Sequence, residues 1–373
     1  MKKGTGIKET IVFILPFRDE APVGGYKIVY GYADRLAQEG HDVHLVYPHI
    51  KPEEFARVRN PLRRFKMRLG FLYRYRVRKQ LRLGSWYEFT GPVSREYVCT
   101  VGKHLPRRYP DSTKFVATAV ETSYWLAAMK GAERGKGYYF IQDFENWKHD
   151  DEYVLASYRL PLKKAVISSW IRDKVADAGE KAVVIPNAVD PDYFILSADI
   201  EGRSRYEVAL LYHTDERKRT EDILAALEIV KKSVPQLHAA AFGVEPRPEG
   251  LPDWYDYYQR PDRQTHNRIY NTASVFVAAS RAEGWGLTVC EAMQCGCAVA
   301  CTDAGGFREF CEDGRTAFMS PPLDVAALAG NIRRLIEDDA LRVRLARAGK
   351  NTIGNFTWDK SFAKMKEFLE IKD

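Results

Sequence analysis

Two carboxylates stand eight positions apart in EGWGLTVCE, residues 283 to 291, with two glycines between them. Such a pair can serve as general acid and base, as two halves of a ligand clamp, or merely as solvated surface. The apolar run SVFVAAS precedes them and LTVCEAMQC follows, which predicts a strand, a loop and a helix. Gly284 and Gly286 allow a ligand to approach the backbone closely. A helix starting near Gly286 would offer free N–H groups and a positive dipole end to a phosphate. Glu283 then stands on the loop side, and Glu291 just over one turn into the helix. Two anions beside a phosphate site repel it unless each binds hydroxyl groups. A nucleoside diphosphate sugar carries hydroxyls on both sides of its diphosphate. A glycosidase would set both carboxylates about one scissile bond. Here the helix start lies between them, and a diphosphate leaving group needs charge stabilisation more than a proton.

The elements that must position this pair alternate between short apolar strands and helical segments, the pattern of parallel sheets covered by helices. In the first half the expected strands are TIVFIL, HDVHLVY, KFVATA, GYYFIQ, KAVISS and AVVIPN. Between the first two, Ile28, Tyr32 and Leu36 fall at helical spacing and Gly40 supplies a C-terminal stop. A second series comprises EVALLYH, LHAAAFG, SVFVAAS, AVACT and TAFMS, with helices such as EDILAALEIVKK between them. Pro186, Asp190 and Pro191 punctuate the changeover. The expected division is 1–189, a first doubly wound domain, and 190–355, a second. A tail at 356–373 spaces Trp358, Phe362, Met365 and Phe368 on one helical face, and is expected to cross back onto the first domain. Open parallel sheets bind ligands beyond the carboxyl ends of their strands, so two such domains facing one another would line a central cleft with loops.

Composition narrows the class. The 373 residues are 45% apolar and 29% charged, an ordinary globular balance. No apolar run approaches the roughly 20 residues of a membrane span, and TIVFIL is too short for a secretory leader, so a cytoplasmic protein is expected. Four of the six cysteines fall in CEAMQCGCAVAC, but no C-x2-C pair or nearby histidine accompanies them. They read as small packing residues, and no metal is expected. Residues 57–82 hold eleven Arg or Lys and no acid. The chain has 57 basic and 50 acidic residues, so this segment alone makes it basic. Phe65, Leu69, Leu72, Tyr73 and Val77 interleave the charges, which suits an anionic membrane surface, a phosphate-bearing acceptor or a solvated helix face. No nucleic-acid-binding signature accompanies the charge. No G-x-G-x-x-G follows the first strand, which disfavours a dinucleotide oxidoreductase.

At this point the residues carry a resemblance. EGWGLTVCEAMQCGCAVACTDAGG resembles the E-x7-E segment and following glycine pair of the retaining two-domain glycosyltransferases of family 4. VIPNAVDPDYF is similar to that family's interdomain segment, with Ala188 for the usual glycine. RKRTEDILAALEIVKK resembles its basic phosphate loop, and DGRTAFMSPPLDVAALAGNIRRLIED its C-terminal portion. The resemblance implies the GT-B fold, two Rossmann-like doubly wound α/β domains. It also implies a nucleotide-sugar donor held mostly by the second domain, 190–355, a saccharide or lipid-linked acceptor held mostly by the first, 1–189, and no metal or other cofactor. Glu291 would bind the donor ribose and Glu283 the transferred sugar. The amides of Gly284, Trp285, Gly286, Leu287 and Thr288 would meet sugar and phosphate oxygens, and Lys218 the diphosphate. Gly24 and Gly25 would close over the donor.

Two departures stand out. His213 occupies the place of the family's usual arginine, so Arg217 or His213 itself would supply the cation. Where many members carry a histidine, this chain has Gln142, Asp143 and Glu145, and its glutamine–aspartate pair is similar to that of the branch resembling bacterial surface-polysaccharide rhamnosyltransferases. Asp143 or Glu145 would take the acceptor proton or fix a sugar hydroxyl, or the segment merely caps a helix. His149 reads as a lone surface histidine. The expectation is a cytoplasmic retaining hexosyltransferase of surface glycan synthesis, peripheral on the inner face of a membrane if the basic segment binds lipid. Its rivals are an epimerase or phosphorylase on the same fold, and a non-catalytic glycan-binding partner subunit.

Overall fold

The computed structural model describes residues 8–17, 23–74, 86–100, 109–129 and 137–372. Its contacts divide the chain into two units, Met1–Ile185 with Phe362–Asp373, and Pro186–Ser361. In the first unit the described order is β1 (Thr10–Ile14), α1 (Gly24–Gln38), β2 (Asp42–Pro48), α2 (Pro52–Arg57), α3 (Pro61–Leu72) and β3 (Ser94–Val98). There follow β4 (Lys114–Ala117), α4 (Val120–Ala127), β5 (Gly137–Ile141), α5 (Asp151–Tyr158), β6 (Lys163–Val166), α6 (Ser169–Asp177) and β7 (Val183–Val184). The strands form one parallel sheet ordered β3-β2-β1-β4-β5-β6-β7.

The second unit runs β8 (Glu207–Leu211), α7 (Thr220–Ser233), β9 (His238–Gly243), β10 (Tyr255–Gln259), α8 (Arg263–Thr272) and β11 (Val275–Ala278). It continues with α9 (Leu287–Gln294), β12 (Ala298–Thr302), β13 (Phe318–Ser320), α10 (Val325–Glu337) and α11 (Asp339–Ile353). Its parallel sheet is ordered β10-β9-β8-β11-β12-β13. Both units are Rossmann-like, as the alternating pattern predicts. The central strands of both sheets are nearly continuous apolar runs because helices cover their faces. Ile11 to Ile14 and Val275 to Val277 are fully buried.

Two strands escaped the sequence reading. SREYV forms β3 and YDYYQ forms β10, each the outer strand of its sheet. Outer strands are half-solvated and tolerate charge, so they lack the apolar signature of central ones. The last helix, α12 (Trp358–Phe368), buries Trp358, Met365 and Phe368. From Phe362 onward the chain belongs to the first unit, where Phe368 meets the Tyr138 ring edge-on at 5.2 Å. Lys163 and Glu370 form an ion pair there.

Each sheet reverses its direction of growth once. Strand order passes outward from β1 to β3 and then returns to β4 beside β1. In the second unit it passes from β8 to β10 and returns to β11 beside β8. Loops leaving the carboxyl ends of the two strands at such a reversal part to opposite faces, which opens a crevice for a ligand. In the second unit those are the loops after β8 and β11.

Candidate donor site and first-domain carboxyl cluster

The loop after β8 carries Lys218 and the loop after β11 carries Glu283. Their side chains meet, with Lys218 Nζ 2.6 Å from Glu283 Oε2. Ser280 Oγ donates to the same oxygen at 3.0 Å. The glycines expected to admit a ligand are needed for packing as well. Gly286 has φ of 101°, and a Cβ there would lie 2.2 Å from the Phe307 ring. Gly306 packs so tightly on Gly284 that its Cβ would come within 2.3 Å of the Gly284 carbonyl oxygen. The Gly306 amide donates to the Glu283 carbonyl at 2.7 Å. A short 3-10 turn, Gly305–Glu309, therefore braces the whole EGWG loop.

Gly286 ends that loop as the N-cap of α9 and offers no side-chain cap. The first amides of α9, at Leu287 and Thr288, begin the helix and form with its dipole a suitable anion seat. Trp285 is 2% exposed, with its ring against Phe310 at 5.5 Å and Phe356 at 5.3 Å. Its side chain is thus committed to packing, and only its backbone is left to meet a ligand. Glu291 is 5% exposed and accepts from the Tyr270 hydroxyl at 3.2 Å. Tyr270 belongs to an aromatic group with Phe194, Phe242 and His266.

The basic loop is less free than its sequence implies. Arg217 binds its own neighbour Asp215, with Nη2 2.6 Å from Oδ2. Burial alone would raise the Asp215 carboxyl, but the hydrogen bonds from Arg217 outweigh it and hold the group below its usual value. Arg219 pairs with Glu221 and Asp222. His213 Nδ1 accepts from the Asp215 amide at 2.9 Å, which places the ring proton on Nε2 in the neutral form. Burial, assisted by the Lys218 charge, lowers the His213 pKa. His213 thus offers a neutral donor at physiological pH rather than the full charge of an arginine.

In the first unit Gly24 and Gly25 open α1, and a Cβ on Gly25 would sit 3.4 Å from Gln142 Nε2. The loop after β5 thus reaches the start of α1. Asp143 Oδ1 accepts from the next amide, Phe144, at 2.9 Å. Glu145 turns back to α4, where Oε2 accepts from the Val120 amide at 3.1 Å. Burial pushes the Glu145 carboxyl up to about 8, with Glu121 and Asp143 adding to the effect. His149 differs from expectation. It is partly buried, 3.4 Å from the buried Glu121 carboxylate and 4.5 Å from the Tyr153 ring. The sequence gives no apolar pattern around His149, so only the fold shows Glu121 beneath it. Ser280, Tyr270 and Glu121 were also missed, because a lone serine, tyrosine or glutamate carries no spacing signal.

The cysteines in CEAMQCGCAVAC lie in α9 (Cys290), in β12 (Cys301) and in the turn between them (Cys295 and Cys297), and all four are buried. Burial pushes the Cys297 thiol up to about 12.

Residues 203–352 match the family model for glycosyl transferases group 1. Over 194 residues the chain is 28% identical to the phosphatidyl-myo-inositol mannosyltransferase of Mycobacterium tuberculosis, covering 48% of this chain and 51% of that protein. It is 37% identical over 90 residues to the D-inositol 3-phosphate glycosyltransferase of Streptomyces avermitilis, or 24% of this chain and 19% of that one. The chain thus spans about half the length, or less, of these curated relatives. Among solved structures, Anabaena HepE in complex with UDP and glucose superposes with a TM-score of 0.71 at 16% identity, covering 97% of this chain and 99% of that one. At that identity the likeness is one of fold. The similarity to glycosyl transferases group 1 is thus carried by residues 203–352, in a chain whose two parallel-sheet units have the GT-B fold.

Proposed function

We propose that this protein is a retaining glycosyltransferase that moves a hexose or deoxyhexose from a nucleoside diphosphate sugar to a saccharide or lipid-linked hydroxyl. The observation that carries this reading is the meeting of Lys218 and Glu283 at the switch point of the second sheet, beside the uncapped start of α9. A diphosphate at the α9 amides would take Lys218 as counter-ion and leave Glu283 to the transferred sugar. Glu291, oriented by Tyr270, would take the ribose. The departing diphosphate, stabilised by Lys218 and the helix end, would help to remove the acceptor proton. No metal is assigned a role. In the first unit, Asp143 would hold or deprotonate the acceptor hydroxyl, whereas Glu145, turned inward and mostly uncharged at neutral pH, would not serve as the base.

A thermal-shift screen against UDP, GDP, dTDP and ADP and their sugars tests donor binding, because a bound ligand raises apparent stability by mass action. One base should stand out, and no stabilisation by any of them would remove the donor reading. The anomeric configuration of the product then tests retention. Sugar epimerisation, or phosphate-dependent cleavage without an acceptor, would favour the rival enzymes.

The acceptor is proposed to lie at an anionic membrane surface. Helix α3 turns Leu62, Phe65, Leu69 and Leu72 outward, with Leu62 71% exposed, while Phe71 is buried. These four fall on one side of the helix, with Arg63, Lys66 and Arg68 around them. An apolar stripe framed by cations suits a surface of acidic lipid. Residues 75–82 of the basic segment lie outside the described residues. No described helix is long and apolar enough to cross a membrane. The mannosyltransferase relative is named for an inositol phospholipid, so that lipid is the first acceptor to test. Binding to phosphatidylinositol vesicles should weaken with salt. Equal binding to neutral vesicles would refute the electrostatic argument.

A further inference from the structure

The Lys218–Glu283 pair poses a problem for the donor reading. Lys218 can neutralise a diphosphate fully only by giving up Glu283. Glu283 would then be a carboxylate with a side chain only 12% exposed and no cation beside it. An ion pair that loses one partner in such a place is strongly disfavoured unless a new partner arrives.

Resting on that reading, we propose that Lys218 and Glu283 exchange partners when a nucleotide sugar binds, and that Ser280 is the positioning residue that holds Glu283 during the exchange. Lys218 Nζ and Ser280 Oγ both meet Oε2, and Oε1 carries no hydrogen bond among the described residues. Oε1 is therefore the oxygen that can accept a sugar hydroxyl. The two partners of Oε2 differ in freedom. The Lys218 side chain is 27% exposed and sits at the end of a 3-10 turn, Glu216–Lys218, followed by Arg219 at φ of 48°. Ser280 is 3% exposed, and its carbonyl accepts from Thr302 Oγ1 of β12 at 2.6 Å. Lys218 can leave, whereas Ser280 stays.

Lys218 would move to the diphosphate while the sugar hydroxyl replaces it at Glu283. A nucleoside diphosphate without its sugar draws Lys218 away and returns nothing to the carboxylate. The exchange therefore penalises the product diphosphate relative to the donor, which favours product release. Neutralising Glu283 should move the two ligands in opposite directions, an effect that simple loss of packing would not produce.

Calorimetric titration of the full chain with UDP, GDP, dTDP and ADP, and with the hexose conjugate of whichever binds, tests this. Glu283→Gln should tighten the diphosphate about tenfold and weaken its sugar conjugate. Ser280→Ala should lower kcat about tenfold or more with the donor KM little changed, and Ser280→Thr should restore much of it. Movement of both ligands in the same direction by Glu283→Gln would overturn the exchange. A kcat for Ser280→Ala within about twofold of wild type would overturn the role of Ser280. If the alanine variant fails to fold, the threonine variant and the Glu283→Gln titration still decide. Failure of every nucleotide to bind the wild-type chain would refute instead the donor reading beneath the proposal.

Discussion

Replacing Glu145 by glutamine should remove a pH-dependent weakness from the first unit. The residue as a whole is partly buried, but its carboxyl end lies inside, against the Val120 amide. Its pKa is about 8 in the fold, against an ordinary 4.5. Burial is the main cause. The charges of Glu121 and Asp143 add to it, while the Val120 amide and Lys148 oppose it. The phenols of Tyr139 and Tyr158, both buried, adjoin the same carboxyl and are themselves raised by burial. At neutral pH roughly nine in ten molecules would therefore hold Glu145 as the neutral acid. An acid raised in the fold binds its proton more tightly folded than unfolded. Its stabilising contribution is complete below pH 4.5 and is lost as pH rises through 8. A separation of that size corresponds to about 5 kcal/mol at most, so a loss of about 3 to 5 kcal/mol is expected between pH 5 and pH 8.5. Glutamine keeps the oxygen that Val120 needs and cannot ionise. Urea unfolding of both proteins at intervals between those pH values isolates the effect, since every other titrating group is common to them. The difference in stability should swing toward the variant as pH rises. Parallel curves would refute the reasoning and place the carboxyl in water.

Gly286→Ala forces a left-handed residue and drives a methyl into the buried Phe307 ring. It should destabilise the second unit by about 3 kcal/mol and weaken nucleotide binding, as read by thermal unfolding and titration. Glu291→Ala should chiefly raise the donor KM and Glu283→Ala chiefly lower kcat, and equal mild effects from both would sink the assignment of roles. His213→Arg should tighten nucleoside diphosphate binding several-fold, because the neutral imidazole is replaced by a fixed charge; unchanged affinity would show that the ring faces away from the phosphate. Leu62→Ser with Phe65→Ser should reduce binding to acidic vesicles about tenfold or more with folding intact, since each loses an exposed apolar group from α3.

The central strands were legible because burial on both faces leaves an unmistakable apolar run, as in TIVFI and VFVA. The outer strands β3 and β10 were not, since SREYV and YDYYQ satisfy one solvated edge and carry charges there. The carboxylates of EGWGLTVCE were legible because glycines and a helix start surround them. Their supports were not. Ser280 and Tyr270 matter only through where β11 and α8 place them, and spacing along the chain does not report that. The charge of the phosphate loop was the feature most easily misjudged. RKR reads as three cations awaiting an anion, yet Arg217, Lys218 and Arg219 each meet a carboxylate in the fold.

That pairing separates the three cations by what their release would cost. Asp215 and Asp222 lie within three residues of the arginines they bind, so those contacts are local and form with the turn itself. Glu283 lies 65 residues from Lys218 and reaches it only because β8 and β11 are neighbours in the sheet. A local pair survives small shifts of its loop, whereas a pair made across two loops breaks when either one moves. The contact most sensitive to a ligand is thus the one at the switch point. An anion arriving at α9, as proposed, would compete directly for Lys218, while Arg217 and Arg219 would keep the turn in shape. On the proposed exchange one lysine responds and two arginines hold, a division of labour that three consecutive basic residues do not reveal.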